Sequence, residues 1–298
     1  SDFFPHILES THILTRVYSN WGVPASYREM NGSSVHAYKF VNDKGETTYV
    51  KFAWKSRQGE RNLRPAEIGP VQARTSTHAT ADLYEAINKG QYPAWDLTIQ
   101  TLKPEDLDKF DFDPLDSTKV WTGVPERKIG TMVLNRVPDN FFESTEQVAL
   151  APGNLVPGIE PSEDRMLQGR LFSYNDTQIH RVGTNYQALP INRPLVPVKN
   201  HQQDGAGSAS GRTGSVNYEP SRLAPLPASP HARGSALPLR ATTQQQAIAK
   251  TLNFRQAGEF YRSLGKQDQD DLIANLSGDL KQVGNREIPV SYTHLTLP

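Results

Sequence analysis

The sequence predicts an α+β fold, and three observations carry the prediction. Strand signals crowd the first 137 residues, a loop-rich span runs from 138 to about 242, and helical spacing returns from Gln244. In SVHAYKFVNDKGETTYVKFAWK, two β-rich runs flank the turn residues NDKG, which places strands over 34–41 and 47–54. TADLYEAINKGQ (80–91) reads as a helix: Leu83, Ala86 and Ile87 give an i, i+3, i+4 apolar face, and Gly90 supplies a stop. WDLTIQTL (95–102) and GTMVLNRV (130–137) read as further strands.

Residues 138–165 are rich in proline and glycine and read as loop. MLQGRLFSYNDTQIHR (166–181) has helical spacing. After it, residues 190–242 show almost no periodicity, which in a compact domain means a linker or a segment wrapping over a surface. From Gln244 two amphipathic stretches predict an antiparallel helix pair, the second presenting Leu272, Ile273, Leu276 and Leu280. VSYTHLTLP (290–298) abandons that spacing and is set aside as a non-native tail. The organisation is therefore 1–137, 138–242, 243–286 and a tail at 290–298.

Bulk properties exclude several functions. Lys plus Arg is 32 and Asp plus Glu is 32, so the formal net charge is zero, and no broad electrostatic capture of nucleic acid or anionic membrane is expected. There is no cysteine, which removes disulfides, zinc–thiolate sites and iron–sulfur clusters and is compatible with a cytoplasmic protein; a periplasmic one stays open. No apolar run approaches the ~18 residues that span a bilayer. A mean hydropathy of −0.59, with 22 prolines and 21 glycines, predicts much irregular chain. The chain starts at Ser1 in what reads as mid-domain sequence, so an N-terminal segment is expected to precede it.

Candidate chemistry is sparse. GAGSASG (205–211) lacks the Lys-Ser/Thr ending of a phosphate loop and reads as flexible linker. HExxH and GxSxG are absent. PEDLDKFDFDPLD (104–116) lacks the glycine turn and distal glutamate of a calcium loop and reads as a solvated turn. The N-x-S/T triplets at Asn31, Asn175 and Asn275 are chance-level, and the eight histidines are scattered.

One stripe remains. In a helix, Arg170, Tyr174, Gln178 and Arg181 fall on one face. On spacing alone the plainer reading is a surface helix whose arginines face solvent or stack on the ring. The chemical alternative is specific. A phenol ordinarily ionises near pH ~10, and a guanidinium four residues away favours the phenolate by charge and hydrogen bonding. Phenolate is a hard oxygen donor for ferric iron, and the second arginine could pair with a carboxylate of a bound group.

The run from Arg170 to Arg181 also resembles the proximal ligand signature R-L-F-x-Y-x-D-T-x-x-x-R of the monofunctional haem catalases. SNWGVPASYREMNGSSVHAYKFVNDKG, YVKFAWKSRQGERNL, FDFDPLDSTKVW, VLNRVPDNFFESTEQVALAPGN and FRQAGEFYRSL extend the likeness over about residues 1–285. The resemblance implies a partial antiparallel β-barrel over 1–137. It implies a wrapping segment over 138–242 that includes the proximal haem helix near 166–182, and C-terminal helices. It implies haem b held by Tyr174 as axial iron ligand, with Arg170 supporting the phenolate and His36 and Asp164 extending the network behind it. Arg181 would pair with a haem propionate, and Met166, Leu150, Ser173 and Gln178 would line the pocket.

For NADPH, which some family members bind, His12, Ser19, Lys55, Val120 and Trp121 are compatible. Trp21 and Gly123 stand where binders have arginine and histidine, so NADPH is not carried over. The family's distal His, Ser and Asn precede the matched stretch, so no catalytic residue is expected in this chain and little peroxide turnover from it alone. The activity implied for the whole protein is disproportionation of hydrogen peroxide to water and oxygen, by a homotetramer. A catalase-related organic-peroxide enzyme and a non-catalytic haem-binding module remain the alternatives.

Overall fold

The NDKG turn closes as its residues require. Asn42 Oδ1 accepts from the N–H groups of Lys44 (3.0 Å) and Glu46 (2.9 Å), and Gly45 takes φ +80°, a left-handed value that costs glycine little. In this computed structural model the described residues are 2–196, 198–201, 203, 205, 208, 214–226, 244, 246 and 251–292. In chain order the elements are α1 (Thr11–Tyr18), β1 (Gly32–Ser33), β2 (Tyr38–Val41), β3 (Thr47–Ser56), α2 (Pro65–Arg74), α3 (His78–Asn88) and β4 (Ala94–Leu102). They continue with β5 (Arg127–Val133), β6 (Ile159–Pro161), α4 (Arg165–Arg181), α5 (Arg255–Ser263), α6 (Lys266–Leu280) and α7 (Glu287–Ser291). Two units divide them. The first holds Ser1–Ala37, Val50–Val137 and Arg240–Pro298, and the second Tyr38–Tyr49 and Pro138–Leu239.

In the first unit β4 pairs antiparallel with β5, Ala94 opposite Val133, and β3 lies on the other side of β4 with the short β1 against it. Val50, Trp95, Ile99 and Leu102 are buried there; in β4, Trp95 and Ile99 share one face and Leu102 lies on the other. Helix α1 packs against α5 and α6. The contact includes Arg16, whose guanidinium lies 4.3 Å from the Phe260 ring centroid and 5.5 Å from that of Trp21.

The second unit is smaller and serves α4. Its strand β2 pairs antiparallel with β6 in the register Tyr38↔Pro161, Lys39↔Glu160 and Phe40↔Ile159. The Val41 N–H reaches the Gly158 carbonyl at 2.9 Å, and Gly158 takes φ +90°. Chain leaving β6 therefore enters α4 within four residues. Leu167 on the first turn of α4 is fully buried, worth about 1.5–3 kcal/mol of hydrophobic stabilisation.

The expected strands, the 80–91 helix and the 166–181 helix all form, with ends shifted by a few residues; the strand expected over 34–41 is β2 at its end only. Each unit's sheet is open, with β5 and β6 as end strands, so no barrel closes among the described residues, in keeping with the partial barrel expected. The 104–116 stretch opens as a 3-10 helix (Pro104–Lys109), and Asp116 is not solvated: it pairs with buried Lys119 at 3.1 Å. Three helices, α1, α2 and α7, escaped the sequence reading. In α2, Pro65 and Pro70 masked the pattern, although Pro65 suits the first position and Glu67 accepts from the Arg64 N–H at 2.8 Å.

The helix expected from Gln244 begins only at Arg255 among the described residues, and residues 251–254 are turn. Leu272 and Leu276 are buried but Ile273 is 47% exposed, so the apolar face of α6 is narrower than its spacing suggested. Most of the wrapping segment after 226 and tail residues 293–298 lie outside the described residues. Val290 and Ser291 end α7, and Tyr292, placed in the non-native tail from sequence, is buried.

Candidate functional site

Helix α4 begins on Asp164, whose Oδ1 accepts from the N–H groups of Met166 (2.9 Å) and Leu167 (3.1 Å). An N-cap carboxylate satisfies donors the helix cannot pair internally and suits the positive end of its dipole. Before it, the buried Ser162 accepts at Oγ from the Asp164 N–H at 3.3 Å. The start of the helix is thus fixed by side chains as well as by the β6 pairing.

Five residues into the helix stands Arg170, and one turn further Tyr174; both are half-buried. Arg170 Nη2 donates to the Tyr174 hydroxyl oxygen, and the guanidinium carbon lies 4.7 Å from the ring centroid. A guanidinium cannot accept, so the phenol proton must point elsewhere or be absent. Met166 on the same side is 56% exposed and Leu150 73%, an apolar margin beside an oxygen donor. Ser173 is exposed as well. A flat aromatic disc needs such a surface, an apolar bed with one hard donor, and these residues fit it.

Arg181 behaves differently. Its Nη1 donates to the Glu146 carbonyl (2.8 Å), its Nη2 to the Val148 carbonyl (2.5 Å) and the Gln178 side-chain oxygen (2.6 Å), and its Nε to the same oxygen (3.1 Å). These contacts occupy four of the five guanidinium N–H groups. Gln178 is buried, and its amide donates to the Leu150 carbonyl at 3.2 Å. Gln178 and Arg181 therefore hold the 146–150 loop, which presents Leu150. The described bonds of Asp164 go to the first turn of α4. His36 belongs to the other unit, where it is buried, its N–H on the Ser34 carbonyl at 2.6 Å.

Four residues that sequence reasoning missed gather at the start of α4. Glu163 accepts from Lys39 Nζ at one carboxylate oxygen and from the Tyr49 hydroxyl at the other, both at 2.8 Å. Burial works against ionised Glu163, but these two donors outweigh it and hold its carboxyl below the usual range. The Tyr49 phenol is pushed up, by burial first and then by its bond to the carboxylate. Tyr38, next to Lys39, is raised by burial, with the Arg170 charge pulling the other way and Asp164 and Tyr174 adding to the rise. A sequence signal existed: Lys39 sits in phase with Val41, on the inward side of β2, where an unpaired lysine is not tolerated.

The residues compatible with NADPH are each engaged with other residues of the first unit. His12 Nδ1 meets the Thr118 carbonyl at 2.8 Å, and its Nε2 accepts from Arg16 Nε at 3.0 Å. Lys55 pairs with Glu126, and Gln256 takes both the N–H and the carbonyl of Val120. The Trp121 indole, 2% exposed, donates to the Pro114 carbonyl at 2.8 Å.

Comparison with known proteins follows the same lines. The family model described as Catalase matches residues 1–225, and one described as Catalase-related immune-responsive matches 247–294. A protein named Catalase from Pseudomonas aeruginosa is 62% identical over 279 residues, covering 94% of this chain and 54% of the relative. One of the same name from Vibrio cholerae is 55% identical over 287 residues, covering 96% of this chain and 57% of the relative. A solved structure of a bacterial catalase superposes with a TM-score of 0.90 at 30% identity, covering 99% of this chain and 62% of that one. The chain spans about half the length of the curated relatives it matches.

Proposed function

This chain belongs to the catalase family, and from that premise we propose that α4 forms the proximal half of a haem site in a protein that disproportionates hydrogen peroxide to water and oxygen. The observation that carries the reading is the Arg170–Tyr174 bond beside an exposed apolar margin. The relatives named Catalase support this over an organic-peroxide enzyme or a non-catalytic haem carrier.

We assign haem b as the group. When bound, its iron would supply the redox chemistry, and Tyr174 would hold it through the phenol oxygen. Arg170, which donates to that oxygen, would aim it. Met166 and Leu150 give the disc an apolar bed and exclude water from the donor. The remaining Nη1 N–H of Arg181 is the donor we assign to a propionate, while its other contacts brace the loop. His36 and Asp164 we assign to support behind the ligand.

Homotetramer assembly and a cytoplasmic setting are part of the same proposal; the exposed Leu195, Val196 and Leu223 give such an assembly apolar surface to cover. No described helix is long and apolar enough to cross a membrane.

The test is a hemin titration of the chain. Ferric tyrosinate absorption is expected in the wild type, and Tyr174→Phe should remove it and weaken binding by more than the roughly 10–100-fold typical of supporting residues. An unchanged Tyr174→Phe spectrum would sink the assignment. NADPH fluorescence should stay unquenched at concentrations that saturate an NADPH-binding catalase; saturable binding would show that the Arg16–Trp21–Phe260 stack opens.

A further inference from the structure

We propose that Lys39, Tyr49 and Glu163 form a positioning clamp that fixes the rotational setting of α4 and so aims the Tyr174 phenol; this rests on the haem reading above. The clamp consumes both oxygens of one carboxylate. Lys39 Nζ reaches Glu163 Oε1 and the Tyr49 hydroxyl reaches Oε2, each at 2.8 Å, from the two strands of one hairpin. Glu163 is flanked by Ser162, whose hydroxyl receives the Asp164 N–H, and by Asp164, whose carboxylate caps the helix. Glu163 thus ties the start of α4 to the hairpin, while Ser162 and Asp164 fix the local turn that begins the helix.

Geometry makes this tie consequential. Each residue of an α-helix turns about 100° and rises about 1.5 Å, so Tyr174 lies roughly 15 Å beyond the cap. A slip of one residue at Glu163 would turn the phenol by about 100°, off the face it shares with Arg170's partner surface. The β2–β6 pairing alone sets register in steps of strand residues, and a two-stranded pairing of three residues resists slippage weakly. Glu163 supplies the missing specification.

The pair is also selective by cost. The Lys39 side chain is 5% exposed, so a shift that separated it from Glu163 would leave a buried ammonium without its carboxylate. The Glu163 side chain is 40% exposed, so the cost rests on Lys39; a pair with both partners exposed would contribute little. The Tyr38 phenol, one residue before Lys39, lies near enough to Arg170 and Asp164 to feel their charges.

The experiment compares the full chain with Tyr49→Phe, Lys39→Met and Lys39→Arg by two readouts. Amide hydrogen exchange reports the first turns of α4 without haem, and hemin titration reports affinity and the ferric spectrum. Tyr49→Phe and Lys39→Met should speed exchange over 165–170 and weaken hemin binding roughly tenfold, with a shift away from a single tyrosinate species. Lys39→Arg, which keeps the charge, should restore most of both. Tyr49→Phe loses only one hydroxyl and serves where Lys39→Met does not fold. Wild-type exchange and a wild-type haem spectrum in Tyr49→Phe and Lys39→Met together would overturn the clamp. A Tyr174→Phe chain with the wild-type spectrum would instead overturn the tyrosinate reading, and exchange alone would then decide the clamp.

Discussion

Arg170 and Arg181 lie on nearly the same face of α4, eleven residues apart, yet their surroundings put them to different uses. Near the start of the helix, Arg170 meets a phenol that has nothing else to hold it in the described contacts. At the end, Arg181 meets two backbone carbonyls of the 146–150 loop and the side-chain oxygen of Gln178 on its own helix. The difference lies in what the chain brings opposite each one. Arg170 holds a side-chain oxygen on its own helix, and Arg181 holds the 146–150 loop. The same guanidinium positions a donor at one end and braces the chain at the other.

Substitution should separate the two roles. The larger effect is expected at the first. Arg170→Leu removes the N–H that holds the Tyr174 oxygen, and hemin affinity should fall by roughly 10–100-fold. Hemin titration measures this, and wild-type affinity in Arg170→Leu would mean that the bond does not position the donor. Arg181→Leu should act on stability first. It strips donors from the Glu146 and Val148 carbonyls, costing about 1–3 kcal/mol, while the tyrosinate spectrum persists. Urea unfolding beside a ferric spectrum would show it, and the comparison breaks if Arg181→Leu alters the spectrum as much as Arg170→Leu does.

How much of this was legible in the sequence depends on the range of each interaction. The Arg170–Tyr174 bond links i and i+4, so helical spacing exposes it and the match to a family signature gives it meaning. Arg181 could be placed on the stripe, but its acceptors lie 33 and 35 residues back in a loop with no period. Glu163 is bound by Lys39 and Tyr49, separated from it by 124 and 114 residues, and only the inward phase of Lys39 hinted at a partner. Helix α2 was missed because two prolines and a glycine look like loop, although proline at the first position is compatible with a helix. The stack of Arg16 on Trp21 and Phe260 joins α1 to a helix more than 200 residues on. Substitutions at the NADPH positions argued only against NADPH, and which side chains meet there was set by tertiary packing.

The smallest expected effect is the sharpest test of the contrast, because acid should loosen one end of α4 before the other. Glu163 has its pKa depressed in the folded state, so its contribution is present above the unfolded carboxylate value of about 4.3 and is lost as pH falls through the folded one. In that window the unfolded chain binds more protons, and stability declines with falling pH. The described acceptors of Arg181 are two carbonyls and an amide, none of which titrates there. Amide exchange followed from pH 6 to pH 3, corrected for intrinsic rates, should therefore lose protection over 165–170 before 177–181. In Tyr49→Phe, where Glu163 keeps only one of these donors, the onset should move to higher pH. Simultaneous loss at both ends would mean that α4 melts as one unit and that its arginines do not divide it.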